Sequence, residues 1–216
     1  LPNTLSYAKQ LAQSHPLGWS VLLTGFDAIS LSLIVNICTV TWTIKYLDKH
    51  FPEFGGKNDH SGYHELDLSD VESFRRTLRS TIRKSFVFVV TIFTTIPFTV
   101  VYIRQMAQVI GGEEKYIGIW QSTQLILTEE GLAGLFSGVI PVLIGTLFGL
   151  WAADAVLFAS ERLLTRSGLR QMRNTTRADW IYKKIRDVIF FCTHFAVVRC
   201  MQPYEVVSNV MACAGS

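Results

Sequence analysis

Pro97-Phe-Thr-Val-Val-Tyr-Ile-Arg104 and, after a spacer, Glu129-Glu-Gly-Leu-Ala-Gly-Leu-Phe-Ser-Gly-Val-Ile-Pro141 are the two pieces of sequence on which the fold turns. In each, a proline or a Glu-Gly pair interrupts a long apolar run, so the block reads as helix, polar spacer, helix. A weaker copy of the first piece, Pro203-Tyr-Glu-Val-Val-Ser-Asn-Val210, stands near the end of the chain. Leu22-Leu-Thr-Gly-Phe26 and Leu135-Phe-Ser-Gly-Val139 form a second related pair, each introducing an apolar run. Both pairs recur at a little over 100 residues. That period is longer than a solenoid repeat and suits the internal repeats of transporters.

Composition agrees with a membrane protein. Of 216 residues, 49% are hydrophobic and 17% charged, and the mean hydropathy is +0.29, which argues against an ordinary water-soluble domain. A net charge of +3 is too small to point to nucleic acid. Its distribution is uneven: Glu161 to Arg186 carries Arg162, Arg166, Arg170, Arg173, Arg177, Lys183, Lys184 and Arg186 against Glu161 and Asp179, whereas Arg104 to Glu130 is acid-rich. The two segments are expected on opposite sides of a bilayer. The chain opens at Leu1 without a methionine, and we read it as missing something at both ends.

Four stretches approach or reach the roughly 20 apolar residues of a membrane-spanning helix. They are Leu17 to Tyr46, with Asp27 and flanking Trp19 and Trp42; the charge-free Phe86 to Ile103; Ile140 to Ala159, with Asp154; and the more polar Trp180 to Met211. Pro97 is expected to kink the second. Gly145-x-x-x-Gly149 gives the third a smooth face for close helix packing. The fourth, with Arg186, Asp187, His194, Arg199 and Glu205, is expected to line a cavity or bundle rather than lipid. Phe51 to Leu68 reads as a solvated loop. Ser69-x-x-Glu72 is a capping box that starts a helix carrying Arg75, Arg76, Arg79, Arg83 and Lys84 into the membrane. Gly118 to Thr128 is an amphipathic segment suited to a membrane surface.

No sequence feature calls for covalent chemistry. Phosphate-binding loops, nucleophile elbows and metalloprotease motifs do not occur, so neither an enzyme nor a cofactor is expected. His60 and His64 have metal-compatible spacing but no further His or Cys around them. Cys38, Cys192, Cys200 and Cys213 form no Cys-x-x-Cys pair and read as buried structural thiols. Asn174-Thr-Thr176 fits a glycosylation acceptor only in a secretory protein, and no signal peptide opens the chain.

The Pro97–Pro141 block resembles the repeat of the mitochondrial carriers, an all-α integral membrane helix bundle. The carrier signature runs Pro-x-acid-x-x-base-x-base, a spacer, then acid-Gly, an aromatic, a base and Gly. Pro97, Arg104, Glu130, Gly131, Phe136 and Gly138 match it. Thr99 replaces the acid, Tyr102 the first base and Ser137 the base before the glycine. Near the end, Pro203 and Glu205 match, but Ser208 and Val210 occupy both basic positions. With Ser6-Tyr-Ala-Lys-Gln10 ahead of the Leu-Leu-Thr-Gly element and Lys115-Tyr-Ile-Gly118 ahead of the Glu-Gly pair, the chain resembles the mitochondrial carrier homologue family. On that resemblance residues 1–50 are the second half of a first repeat, 51–79 a loop and basic lead-in, 80–164 the second repeat, and 165–216 a basic linker with the start of a third.

The resemblance implies a carrier that settled in the mitochondrial outer membrane as a multi-pass protein. There it would aid entry of tail-anchored and other helical clients, with links to apoptotic regulators and lipid movement. Its partners would be membrane lipids and those clients, with no nucleic acid. Polar-groove candidates are Asp154, Asp27, Asn36, Arg199, Glu205 and Asn209, with Thr39 and Thr41 extending the trace on the first helix. Asp154 lies about 20 Å into its helix by helical rise, where an acid is a functional hypothesis or else the partner of a base such as Arg199. Asp27 has the alternative of complementing a helix N-terminus. Arg104 reads mainly as a snorkelling helix end, and His194 and Arg199 as bundle-facing. Two other functions stay open: a metabolite carrier with an intact charge gate, and a non-transporting scaffold recruiting partners through Arg162 to Arg186.

Overall fold

The computed structural model describes residues 6, 9–10, 12–13, 18–56, 70–112, 115–166 and 176–215, without the side chains of 165, 176–179 and 181–182. A 3-10 helix, Gly18–Leu23, leads into α1 (Phe26–His50), followed by α2 (Asp70–Gly111), α3 (Ile119–Glu129), α4 (Gly131–Leu135), α5 (Val139–Arg166) and α6 (Thr176–Ala214). Among the described residues there is no strand. The all-α membrane bundle expected from the sequence is the fold observed.

The helix ends follow from local chemistry. Asp27 stands in the first turn of α1 and Lys49 and His50 in the last; the charges of Asp27 and Lys49 oppose the helix dipole. The α2 helix likewise starts with Asp70 and Glu72 in its first turn and runs on through the basic lead-in; Ser69, the capping residue expected from sequence, lies outside the described residues. The helix also continues through Pro97 to Gly111. Around the proline, threonine hydroxyls donate back to the preceding turn: Thr94 Oγ1 to Thr91 O (2.9 Å), Thr95 Oγ1 to Thr91 O (2.8 Å) and Thr99 Oγ1 to Thr95 O (3.2 Å). Such bonds supplement a ladder from which proline removes a donor.

Three segments, Gly18–His50, Asp70–Gly111 and Gly131–Leu164, are long and apolar enough to cross a membrane, judged by length and composition. Only 17–22% of each apolar window is buried, so most of that apolar surface is left uncovered by the described residues. The fourth expected span is α6, ample in length at 39 residues but too polar to join that set. The cysteine expectation is corrected: Cys38, Cys192, Cys200 and Cys213 are all free and exposed. Their apolar neighbours are helix surface facing outward rather than protein interior, a distinction that local hydropathy cannot draw in a membrane protein.

Contacts divide the chain into two units, one of residues 1–39, 91–140 and 207–216, the other of 40–90 and 141–206. In the first unit Ala28, Val101, Ile126 and Leu135 are buried together, with Tyr102, Tyr116, Ile119 and Phe136 packed against them. In the second, the small-residue face of α5 meets α6 as the sequence predicts. A Cβ on Gly145 would lie 2.7 Å from Tyr204 Cβ, and one on Gly149 would lie 2.5 Å from Met201 Sδ. The Asn174 acceptor, His60, His64, Arg170 and Arg173, together with most of the 51–68 loop, lie outside the described residues.

Candidate functional site

In the first unit the charged remnants of the signature converge on the end of α6. Of the adjacent acids Glu129 and Glu130, the former makes an exposed pair with Lys115 at 2.6 Å. Such surface pairs contribute at most about 1 kcal/mol. Glu130 turns inward at the α3–α4 junction and accepts both arms of the Arg104 guanidinium, Nη1 to Oε1 at 2.5 Å and Nη2 to Oε2 at 2.7 Å. The Arg104 side chain is 3% exposed. Its Nε donates to Ala212 O at 2.9 Å, and Ser137 Oγ donates to Met211 O at 2.7 Å. These two donors satisfy carbonyls at the C-terminal end of a helix, where four lack intrahelical partners and a cation opposes the dipole.

Two glycines shape this cluster, one ending α6 and one letting it approach closely. Gly215, at φ 79°, closes α6 by donating to Met211 O at 3.1 Å, the left-handed cap that favours glycine. A Cβ on it would stand 2.8 Å from the Glu130 carboxylate. Gly138, at φ 81°, receives the Ser208 hydroxyl on its carbonyl at 3.0 Å, and a Cβ on Gly138 would lie 2.6 Å from Ser208 O. The snorkelling reading of Arg104 is therefore corrected. The residue is seven positions from the end of α2, buried, and bound to an acid and a carbonyl.

Three of the four positions that would carry gate charges, Thr99, Tyr102 and Ser208, hold hydroxyl-bearing residues, and the fourth, Glu205, keeps its acid and is exposed. Ser208 is 5% exposed and occupied with Gly138. Thr99 donates to Thr95 O and lies 3.4 Å from Ser32 Oγ, and Thr94 donates to Thr39 Oγ1 at 3.3 Å. Tyr102 packs against the apolar core. Ser32, Asn36 and Thr39 fall at i, i+4 and i+7, one face of α1. Ser32 and Thr39 are half-buried and Asn36 exposed. The result is a neutral polar stripe on an otherwise apolar helix, faced by Thr94 and Thr99 of α2.

In the second unit Asp154 is the centre of the polar contacts. Its Oδ2 accepts from Thr81 Oγ1 at 2.7 Å, and Lys84 Nζ lies 3.0 Å from both oxygens. One turn away Trp151 Nε1 donates to Ser85 Oγ at 3.1 Å. The side chain of Asp154 is 13% exposed and that of Lys84 48%, so the acid is the desolvated partner and the lysine stem reaches in to it. The partner expected from sequence, Arg199, is not the one found: it stacks over Phe195 of its own helix at 5.1 Å and reaches Gln202 at 3.4 Å. Arg199 and His194 are exposed on α6, as are Glu205, Asn209 and Pro203, which corrects the bundle-facing reading of the first two. Asp27 is exposed in the first turn of α1.

The structure thus unites Arg104, Glu130 and Gly138 in one cluster and leaves Asp154 in another. Sequence reading missed Ser32, Thr81, Lys84 and the capping role of Ser137. Two of these carried a signal. Ser32 completes the stripe of Asn36 and Thr39 at helical spacing, whereas Thr41 falls on another side of α1 and is exposed. Lys84 is the last charge before the charge-free run of α2, so it is the base best placed to answer an acid within the apolar part of a neighbouring helix.

The mitochondrial carrier protein family profile matches residues 79–165. Mitochondrial carrier homolog 2 of Bos taurus is 27% identical over 215 residues, and that of Mus musculus 31% over 212 residues; each alignment covers 98% of this chain and 64% of the relative. Mitochondrial carrier homolog 1 of Mus musculus is 32% identical over 123 residues, 54% of this chain and 32% of that protein. The chain therefore spans just under two thirds of the length of the carrier homolog 2 relatives it matches. No solved structure matches it significantly. The matched segment contains the Arg104–Glu130 pair and the Gly138 turn; residues 79–165 are similar to the mitochondrial carrier repeat, and the chain over nearly its whole length is similar to the mitochondrial carrier homologues.

Proposed function

We propose that the protein is a degenerate carrier of the mitochondrial outer membrane that helps helical membrane proteins, tail-anchored ones in particular, enter the bilayer. The observation that carries this reading is the neutral hydroxyl set standing where a carrier needs gate charges. Alternating access requires two sealed states of comparable energy, and Thr99, Tyr102 and Ser208 bring no ion pair to either. What remains is the stripe of Ser32, Asn36 and Thr39 within an apolar surface. A charged flank crossing hydrocarbon costs several kcal/mol, and local hydroxyl and amide groups lower that barrier without covalent chemistry. Recruitment of apoptotic partners and lipid movement are further activities in keeping with the family resemblance.

The test is reconstitution of the protein in liposomes with a tail-anchored client, scoring protease-protected insertion. Wild type is expected to exceed empty vesicles, and the combined Ser32→Ala, Asn36→Leu and Thr39→Val variant to lose most of that gain while folding normally. Insertion no better than empty vesicles, or a variant as active as wild type, overturns the reading. Saturable metabolite exchange between sealed compartments would establish the carrier alternative instead.

A further inference from the structure

Where the N-terminus of α2 meets the C-terminal end of α5, the second unit holds a cavity of about 510 Å³ that the function above does not use. Val71, Phe74, Phe158 and Leu163 form apolar walls, and Asp70, Arg162 and Arg166 form a charged rim. The walls are built: Phe74 and Phe158 meet edge to face at 5.8 Å, and the Arg162 guanidinium sits 5.7 Å from the Phe158 ring centre. Asp70 holds both arginines, Arg162 at 3.2 Å and Arg166 at 2.8 Å. The rim consequently carries one positive charge in excess. Glu72 and Glu161, the other acids on these turns, are not part of the lining.

The position along the helix identifies the ligand class. The apolar run of α5 gives way after Ala159 to Glu161, Arg162 and Arg166, so the two arginines stand just beyond it, where hydrocarbon meets headgroups. Arg162 is 18% exposed and lies over the walls, whereas Arg166 is 73% exposed and points out of them. A soluble anion would find cations here but nothing for the aromatic walls. A zwitterionic lipid would fill the walls but bring a cation of its own to the arginines.

We propose that this cavity is a site for one anionic phospholipid, with acyl chain against Phe74, Phe158 and Leu163 and phosphate on Arg166 and Arg162, in exchange for part of their contact with Asp70. Guanidinium pairs phosphate through two parallel donors, and the N-terminal amides of α2 add partial positive charge on the same side. The site is independent of which client, if any, the protein inserts.

Native mass spectrometry of the detergent-purified protein tests it, with phosphatidylglycerol, phosphatidylcholine of the same chains, and inorganic phosphate as separate probes. One retained phosphatidylglycerol is expected, with little phosphatidylcholine and no effect of phosphate. A basic side chain near a charged lipid surface contributes about fivefold in affinity, so the Arg162→Gln, Arg166→Gln double variant is expected to lose about 25-fold. Ala159→Phe, which fills the groove and keeps both arginines, should also lose binding. Asp70→Asn removes the competing carboxylate and is expected to raise occupancy about fivefold, a gain that misfolding does not produce. Equal retention of the two lipids, competition by phosphate alone, an unchanged double variant, or no gain in Asp70→Asn each overturns the proposal.

Discussion

Replacing the buried Arg104 by Met should strongly destabilise the first unit. The substitution keeps an unbranched apolar stem but deletes three donors, two on Glu130 and one on Ala212 O. Glu130 is then left 20% exposed with its cation gone. Breaking a buried pair by removing one partner costs about 3–5 kcal/mol, and the orphaned carbonyl adds about 1 kcal/mol or more. For a chain of this size each kcal/mol corresponds to about 2–4 °C, so the melting temperature should fall by about 10 °C or more. Glu130→Gln leaves an amide oxygen to accept from the guanidinium and should cost less. The double variant removes both charges and is expected to regain more than half of the loss seen in Arg104→Met alone, the non-additivity of groups in direct contact. The assay is tryptophan-fluorescence melting in detergent, with hydrogen exchange of residues 207–215 reporting release of the α6 end. A shift under about 2 °C in Arg104→Met, or additive losses in the double variant, refutes the argument that this pair anchors α6.

Gly138→Ala should be as damaging as a core truncation, because its Cβ would meet Ser208 O at 2.6 Å at a φ of 81°; poor yield of folded protein with normal expression of Gly111→Ala, whose Cβ meets nothing and whose backbone is helical, is the expected comparison. Lys84→Met should lower stability by about 3 kcal/mol by stranding Asp154 in a largely desolvated site, and Asp154→Asn in the same background should restore part of it; paired melting curves read this out. Gly149→Leu should separate α5 from α6, seen as faster hydrogen exchange in residues 195–205. Thr99→Asp, which returns an acid to the gate position, should depress client insertion severalfold through the cost of charge in hydrocarbon, measured in the liposome assay.

Much of this architecture was legible because membrane helices write themselves in length and hydropathy. The runs Phe86–Ile103 and Ile140–Ala159 fall within α2 and α5, the run Leu17–Tyr46 is broken by a turn at Thr24–Gly25 between the 3-10 helix and α1, and Gly145 and Gly149 predicted the face that α6 covers. Pairing was harder to read. Asp154 announces itself as an acid in an apolar helix, but its partner depends on which helix lies beside it, and both Arg199 and Lys84 had suitable chemistry. Arg104 misled for a related reason. It closes an apolar run in sequence, the usual mark of a snorkelling end, yet α2 extends to Gly111 and carries the guanidinium into the protein. The cysteines show the limit of hydropathy itself, since apolar neighbours describe a lipid-facing surface as well as a core.

Hydroxyl-bearing residues at Thr99, Tyr102 and Ser208 have a physical consequence for the insertase role proposed above. A carboxylate or ammonium exposed to hydrocarbon must hold a counter-ion or stay protonated, so it commits the site to one electrostatic state. A threonine on a helix has a resting partner in the carbonyl of the preceding turn, as Thr95 and Thr99 do here, and turning toward a passing polar group replaces one hydrogen bond by another of similar strength. Thr94 already divides itself between Thr91 O and Thr39 of the facing helix. A stripe of this kind is nearly neutral in energy when empty and when occupied. That near-degeneracy suits transient, sequence-tolerant passage of a helix flank, and it offers none of the two-state locking on which metabolite exchange depends.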